Sequence, residues 1–482
     1  MRYLQRWTLL AVALVIAACS KDKAIDQPAV LTDFNATLKV ERVWSASVPD
    51  KGAKVLRLGL SLAQEGKRIF AAGYKGEVIA YDIETGHVDW RTKLKKTPFS
   101  GGPAAGAGLV AVGTSEGEVI ALDSDTGKVR WRVRLNGEIL AAPAISDRAV
   151  AVRTVDGKLR ALSPKDGHDL WTQEQQVPRL SLRGTSRPVI AGDITLCGFD
   201  NGKVVAVNMA DGSVQWEAVV QAPHGRTELE RLVDVDSTPR VLGKDVYTVS
   251  FQGRVARLAL DNGQVWWQHD ASSYRGIALD EDALYIAMAD GEVVAMRPGS
   301  GAEIWRQKAL LHRGLSAVAV TDNAVVTGDY KGYVHWLDKA TGGLAARVRV
   351  SKNRVSNPPV VSGNMVVVID DNGKINAYRT TPIGSTMAGP RKVPKEAGAS
   401  SAEHPAAAPA ATPAPATEPA PAPAAPATPP EPAAAPAAPA TPPEPAPAPA
   451  APATPPEPAP APAAPASTTE PAPPPPVTPK QN

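Results

Sequence analysis

Short apolar runs separated by glycine turns recur along most of this chain, and their spacing predicts the fold. The phrase Gly-x-x-x-Ala-x-Asp-x-x-Thr-Gly-x-x-x-Trp is clearest at Gly76–Trp90 and Gly117–Trp131. Looser copies begin at Gly157, Gly202, Gly253, Gly291, Gly332 and Gly373, with successive starts 38 to 51 residues apart. Seven copies place a second glycine ten residues after the first, from Gly86 to Gly342, and six of these carry Trp four residues later. Within one unit the pattern predicts strands over Ile139–Ile145, Ala149–Arg153, Lys158–Ser163 and Asp169–Gln173. Asp156-Gly157 and Asp166-Gly167 between them are hairpin signals, because Gly accepts the positive φ that tight turns need. A period near forty made of four short strands reads as a propeller blade, which buries its faces only by stacking on neighbours.

The ends of the series complete the ring. The last copy stops at Gly373–Tyr378, before its Trp strand, while Val40–Val48 is a Trp strand carrying Trp44 with no blade before it. Joining the two leaves no open sheet edge. The predicted fold is therefore all-β: an eight-bladed β-propeller of four-stranded antiparallel blades over residues 38–380, closed by an N-terminal strand. The repeated Trp reads as packing between blades, and the seventh copy departs from it, with Ala346 in the Trp position.

The flanks differ from the ring. Residues 1–18 combine Arg2 and Arg6 with a short apolar run and small residues before Cys19, which describes an export signal. Ile16-Ala17-Ala18-Cys19 resembles a bacterial lipobox, implying that Cys19 is lipidated, and Ser20 by resemblance to the sorting rule implies the outer membrane. Residues 19–37 then read as a polar tether rather than a structural element. Residues 381–482 become Pro/Ala-rich near Glu396, with PATPPEPA repeated at a period of 13, and cannot bury a core. This tail is expected to be disordered.

Charge and chemistry exclude more than they suggest. The net charge of +3 hides a tail with six Glu against Lys480, so the remainder is mildly basic, but no Lys/Arg block argues for nucleic acid. The seven His lack metal-type spacing, and no catalytic elbow, phosphate loop or calcium loop occurs. Cys197 lies in the apolar run Ile194–Gly198 and reads as a buried, inert thiol. No enzyme activity, metal or cofactor is expected. The repeat also resembles that of pyrroloquinoline-quinone dehydrogenases, which leaves a cofactor-dependent propeller as an alternative. A cell-envelope scaffold acting through the Pro/Ala tail is another.

Function should sit where the repeat breaks. The intervals from Gly157 to Gly202 and from Gly202 to Gly253 are 45 and 51 residues, and the extra residues, Gln173–Arg187 and Gln221–Pro239, each follow a Trp strand. Such neighbouring connections share one face of a propeller. Leu180, Leu182, Arg183 and Arg187 in the first, with Arg226, Glu228, Glu230, Arg231, Asp234 and Asp236 in the second, mix apolar anchors with ordered charge, as interfaces do. From composition alone, Leu180 and Leu182 read equally well as the next inner strand, and Asp234 and Asp236 as turn residues.

The lipobox, eight Trp-marked blades, LSLRG (Leu180–Gly184), RLVDVDSTP (Arg231–Pro239) and LLHRGLSA (Leu310–Ala317) together resemble the BamB family of outer-membrane β-barrel assembly lipoproteins. The likeness covers roughly residues 19–380. It implies a non-enzymatic scaffold on the periplasmic face of the outer membrane, aiding folding and insertion of barrels. Its implied partner is a POTRA domain of BamA, touched by Leu180, Leu182 and Arg183, with Asp234 and Asp236 adding contacts or holding the first loop. Other Bam subunits and unfolded barrel substrates are further implied partners.

Overall fold

The structure is a computed structural model that describes residues 26–48, 59–181, 184–227 and 229–383. The export signal, Cys19 and the Pro/Ala tail lie outside the described residues, as do Leu182, Arg183 and Glu228.

The hairpin signals form as predicted. Eight four-stranded antiparallel sheets follow one another along the chain. Blade 1, for example, comprises Leu62–Glu65, Arg68–Gly73, Glu77–Asp82 and Val88–Lys93 from inside to outside. Blade 8 takes three strands, Val360–Ser362, Met365–Ile369 and Lys374–Pro382, from the C-terminal end of the ring, and its outer strand is Leu38–Ser47. Leu38 pairs with Pro382 and Ser47 with Lys374, so strand pairing between the two ends of the ring completes the eighth blade without a covalent link. Inner strands are shorter than their apolar runs. Blade 3 begins only at Ala144–Ile145, because Ile139 is already engaged by blade 2, accepting from Ser100 Oγ at 2.7 Å and donating to Thr114 O at 3.2 Å.

Apolar side chains gather at the junctions between blades. Each of the eight core clusters draws on two adjacent blades, as Ile69 and Ile79 of blade 1 meet Val367 and Ile375 of blade 8. Seven outer-strand Trp side chains act as latches at these junctions. Each indole N–H donates to a carbonyl in the outer turn of the next blade, for example Trp90 to Ser124 O at 2.9 Å and Trp171 to Met209 O at 2.8 Å. Trp44 spans the closure in the same way, reaching Ile83 O at 2.8 Å. The repeated second glycine is the other half of the contact. Gly127 has φ +69°, and a Cβ there would stand 2.6 Å from Trp90 Cδ2, so both backbone and neighbour demand glycine. The repeated Asp is turn chemistry: Asp82 Oδ1 accepts from the N–H and hydroxyl of Thr85 at 2.8 and 2.7 Å.

One expectation is corrected. Part of the tether read as a slack polar leash is bound to the ring. Ala29 N–H donates to Leu311 O and Thr37 N–H to Ala345 O, both at 2.9 Å. Leu31 packs on the cluster between blades 6 and 7, and Phe34 lies 4.9 Å beneath the Arg347 guanidinium. A segment carrying Leu31 and Phe34 among polar residues has apolar surface to bury, and the groove beside Ala346 receives it.

Candidate docking site

The two long connections leave and re-enter neighbouring blades. The first joins Asp169–Glu174 of blade 3 to Val189–Ala191 of blade 4, and the second joins Val214–Val219 of blade 4 to Arg240–Leu242 of blade 5. Both run from an outer strand to the next inner strand, so both lie on one face. They touch each other: Ser186 Oγ donates to Ser237 O at 3.0 Å, and a Cβ on Gly184 would stand 3.0 Å from Asp236 Oδ2.

Leu180 is 44% exposed on the first connection, in a bend outside any strand. It is therefore not part of blade 4's inner strand. Val177 (39%) on the same connection and Leu229 (64%) on the second are exposed as well. The second connection is braced by its own side chains. Glu230 accepts the backbone N–H groups of Arg226 and Thr227 at 2.8 and 3.1 Å, which also holds its carboxyl below the ordinary range.

Asp234 and Asp236 point inward. Asp234 is buried, and its backbone carbonyl accepts from Phe251 N–H at 3.0 Å. Asp236 Oδ1 is buried with no hydrogen-bond partner among the described residues. Burial, then the charges of Asp200 and Asp234, push the Asp236 carboxyl well above its usual value, and Arg153 offsets this only in part. Arg153 itself is buried, 3.2 Å from Asp200 and 4.0 Å above the Phe199 ring. The face that carries both connections thus holds a buried acidic cluster, with Leu180 and Leu229 exposed on the same two connections.

A family profile described as Outer membrane protein assembly factor BamB matches residues 30–99, 74–307 and 289–381. The chain belongs to the BamB family. It is 42% identical over 371 residues to the outer membrane protein assembly factor BamB of Pseudomonas aeruginosa, spanning 77% of this chain and 97% of that one. Against the same factor from Kangiella koreensis the identity is 38% over 370 residues, spanning 77% and 95%. Among solved structures, BamB from Moraxella catarrhalis superposes with a TM-score of 0.64 at 26% identity, covering 71% of this chain and all of that one. A quinohemoprotein alcohol dehydrogenase from Comamonas testosteroni reaches a TM-score of 0.55 at 13% identity, over 70% and 76% of the two chains, and shares the fold alone.

Sequence reasoning located the connections but missed part of their support. Arg153 ends a blade 3 strand, and Phe199 and Asp200 lie in an ordinary blade 4 turn, so none of them belongs to the insertions. The available signal was Arg153 itself, a charge ending the apolar strand Val150–Arg153. Cys197 adjoins this support, and burial pushes its thiol up to about 12, so it is no nucleophile at neutral pH.

Proposed function

We propose that this chain is a non-enzymatic scaffold of the outer-membrane β-barrel assembly machinery, anchored to the periplasmic face of the outer membrane through a lipidated Cys19. It docks on a POTRA domain of BamA through the joined connections after blades 3 and 4 and so aids folding and insertion of barrels. Membership of the BamB family supports the assembly role over cofactor chemistry.

The observation that carries the docking site is Asp236, a carboxyl held among other carboxylates with one oxygen buried and without a hydrogen-bond partner among the described residues. A buried acceptor left without a donor costs free energy, and an incoming cationic or N–H group removes that cost. Leu180 and Leu229 beside it supply apolar anchors of the kind that dominate interface energies. Leu182 and Arg183, between Leu180 and Gly184, complete the proposed contact set.

Titration calorimetry of the chain from Lys21 onward against the POTRA region of its own BamA tests the reading. Leu180→Ala/Leu182→Ala/Arg183→Ala should lower affinity at least tenfold with an unchanged melting transition. Undiminished binding by this folded variant would remove the site, and failure of the wild-type pair to bind would remove the partner.

A further inference from the structure

The bound segment before the first strand limits where the ring can stand relative to a membrane. Ala29 meets Leu311 in the connection from blade 6 to blade 7, and Thr37 meets Ala345 on blade 7's outer strand, so the segment crosses the rim at that blade. Two arginines clamp it. Arg313 Nη1 donates to Ala29 O at 2.9 Å, and Arg347 donates to Thr32 O while lying over Phe34. Arg313 is itself fixed from behind, 2.6 Å from the fully buried Asp329. This makes residues 26–37 a strap.

Six residues separate Cys19 from Asp26, and the seven steps between them span about 25 Å at full extension. The strap begins at a connection between an outer and an inner strand, and thus on the face that carries the docking site. It lies three blades round the ring from blade 4.

The same rim is basic. Lys331 sits in blade 7's middle turn, Arg347 and Arg349 on its outer strand, Lys352 just beyond it, and Lys374 reaches Val350 O at 3.4 Å from blade 8. None of the five forms an ion pair with a carboxylate among the described residues. Nearby acids are otherwise engaged, Asp329 with Arg313 and His335, and Asp370 with Asn353. Asp26 and Asp33 on the strap are exposed counter-charges.

We infer that the strap clamps blade 7 beside the lipid anchor, and that the Lys331–Arg349–Lys352 rim rests on anionic phospholipid headgroups. The proposal rests on the reading of Cys19 as lipidated. Cations near such a surface each strengthen attachment about five-fold, and a tether reaching about 25 Å lets them approach within a Debye length, about 8 Å, of it. The ring would then stand with blade 7 at the membrane and its docking face turned sideways toward a partner in the periplasm.

The test uses the full lipidated chain in phosphatidylcholine vesicles containing phosphatidylglycerol, with a fluorophore on Lys352→Cys or, as control, on the exposed Thr172→Cys of blade 3. Energy transfer to headgroup-labelled lipid should be several-fold greater from position 352. Arg349→Glu/Lys331→Glu should reduce it with phosphatidylglycerol present and leave it unchanged without. Phe34→Ala/Arg347→Ala, which frees the strap, should bring the two positions together. Equal transfer from both positions of an acylated wild-type ring would overturn the strap, and indifference to charge reversal would overturn the headgroup contact. Absence of acyl mass on Cys19 would overturn the anchor reading and this inference with it.

Discussion

Trp336 and Ala346 face each other across blade 7 in the reverse of the usual arrangement. In blades 1, 2, 3, 4 and 6 an Ala of the third strand pairs with a Trp of the outer strand, as Ala80 does with Trp90, whereas here Trp336 stands on the third strand and Ala346 on the outer one. The closure explains the exchange. An outer Trp latches onto the outer turn of the following blade, but blade 8 takes its outer strand from the chain's other end and has no such turn. Trp336 instead fills the junction edge-on to Tyr378, its indole N–H without an acceptor among the described residues, and Leu38 packs in the same cluster. Trp336→Ala should therefore cost about 3–5 kcal/mol, the range for truncating a large buried aromatic. Adding Ala346→Trp should recover only part of this, since no carbonyl awaits the indole. Urea melts of the three proteins check both statements.

Asp236 predicts a conflict between stability and docking. Its carboxyl is raised in the folded state, so folding favours the protonated form, and stability is lost as pH rises from the ordinary Asp value of about 3.9 toward the raised one. Asp236→Asn should melt higher than wild type at pH 7, by about 1–3 kcal/mol of relieved burial cost. The gain should vanish near pH 3.5. The same variant should bind the POTRA region more weakly, and a stabilised variant with full affinity would separate Asp236 from the contact.

His335 predicts the opposite slope. Burial pushes its imidazole below the ordinary value, against a 3.1 Å contact to Asp329 that pulls it up. A depressed His contributes stability that is present above about pH 6.5 and lost as pH falls through that region toward the native value. His335→Gln should flatten the fall in melting temperature between pH 6.5 and 5. Because Asp329 also fixes Arg313, which holds Ala29, strap proteolysis of wild type should accelerate over the same interval.

Cys197 should resist maleimide at pH 8 in the folded chain and react at once in urea, because its thiol is fully buried and pushed up to about 12. Rapid labelling without denaturant would mean that blade 4 opens locally.

The sequence by itself determined the blade count, the non-covalent closure, the Trp contacts and the location of the two long connections. Each is written in local chemistry: glycine at positive φ, Asp-x-x-Thr turns, and Trp at a fixed offset. A period repeated along the chain reveals them without any knowledge of neighbours. Tertiary structure decided what depends on residues far apart in the chain. Leu180 is an exposed connection residue, not a core strand residue, because Val189–Ala191 already occupies the inner position of blade 4. Asp236 acquired its raised carboxyl from burial first and then from the charge of Asp200, in a different blade turn. Residues 26–37 became a strap because Arg313 and Arg347, some three hundred residues later, meet them across the closure. Burial and charge proximity are properties of the assembled ring, and no local pattern encodes them.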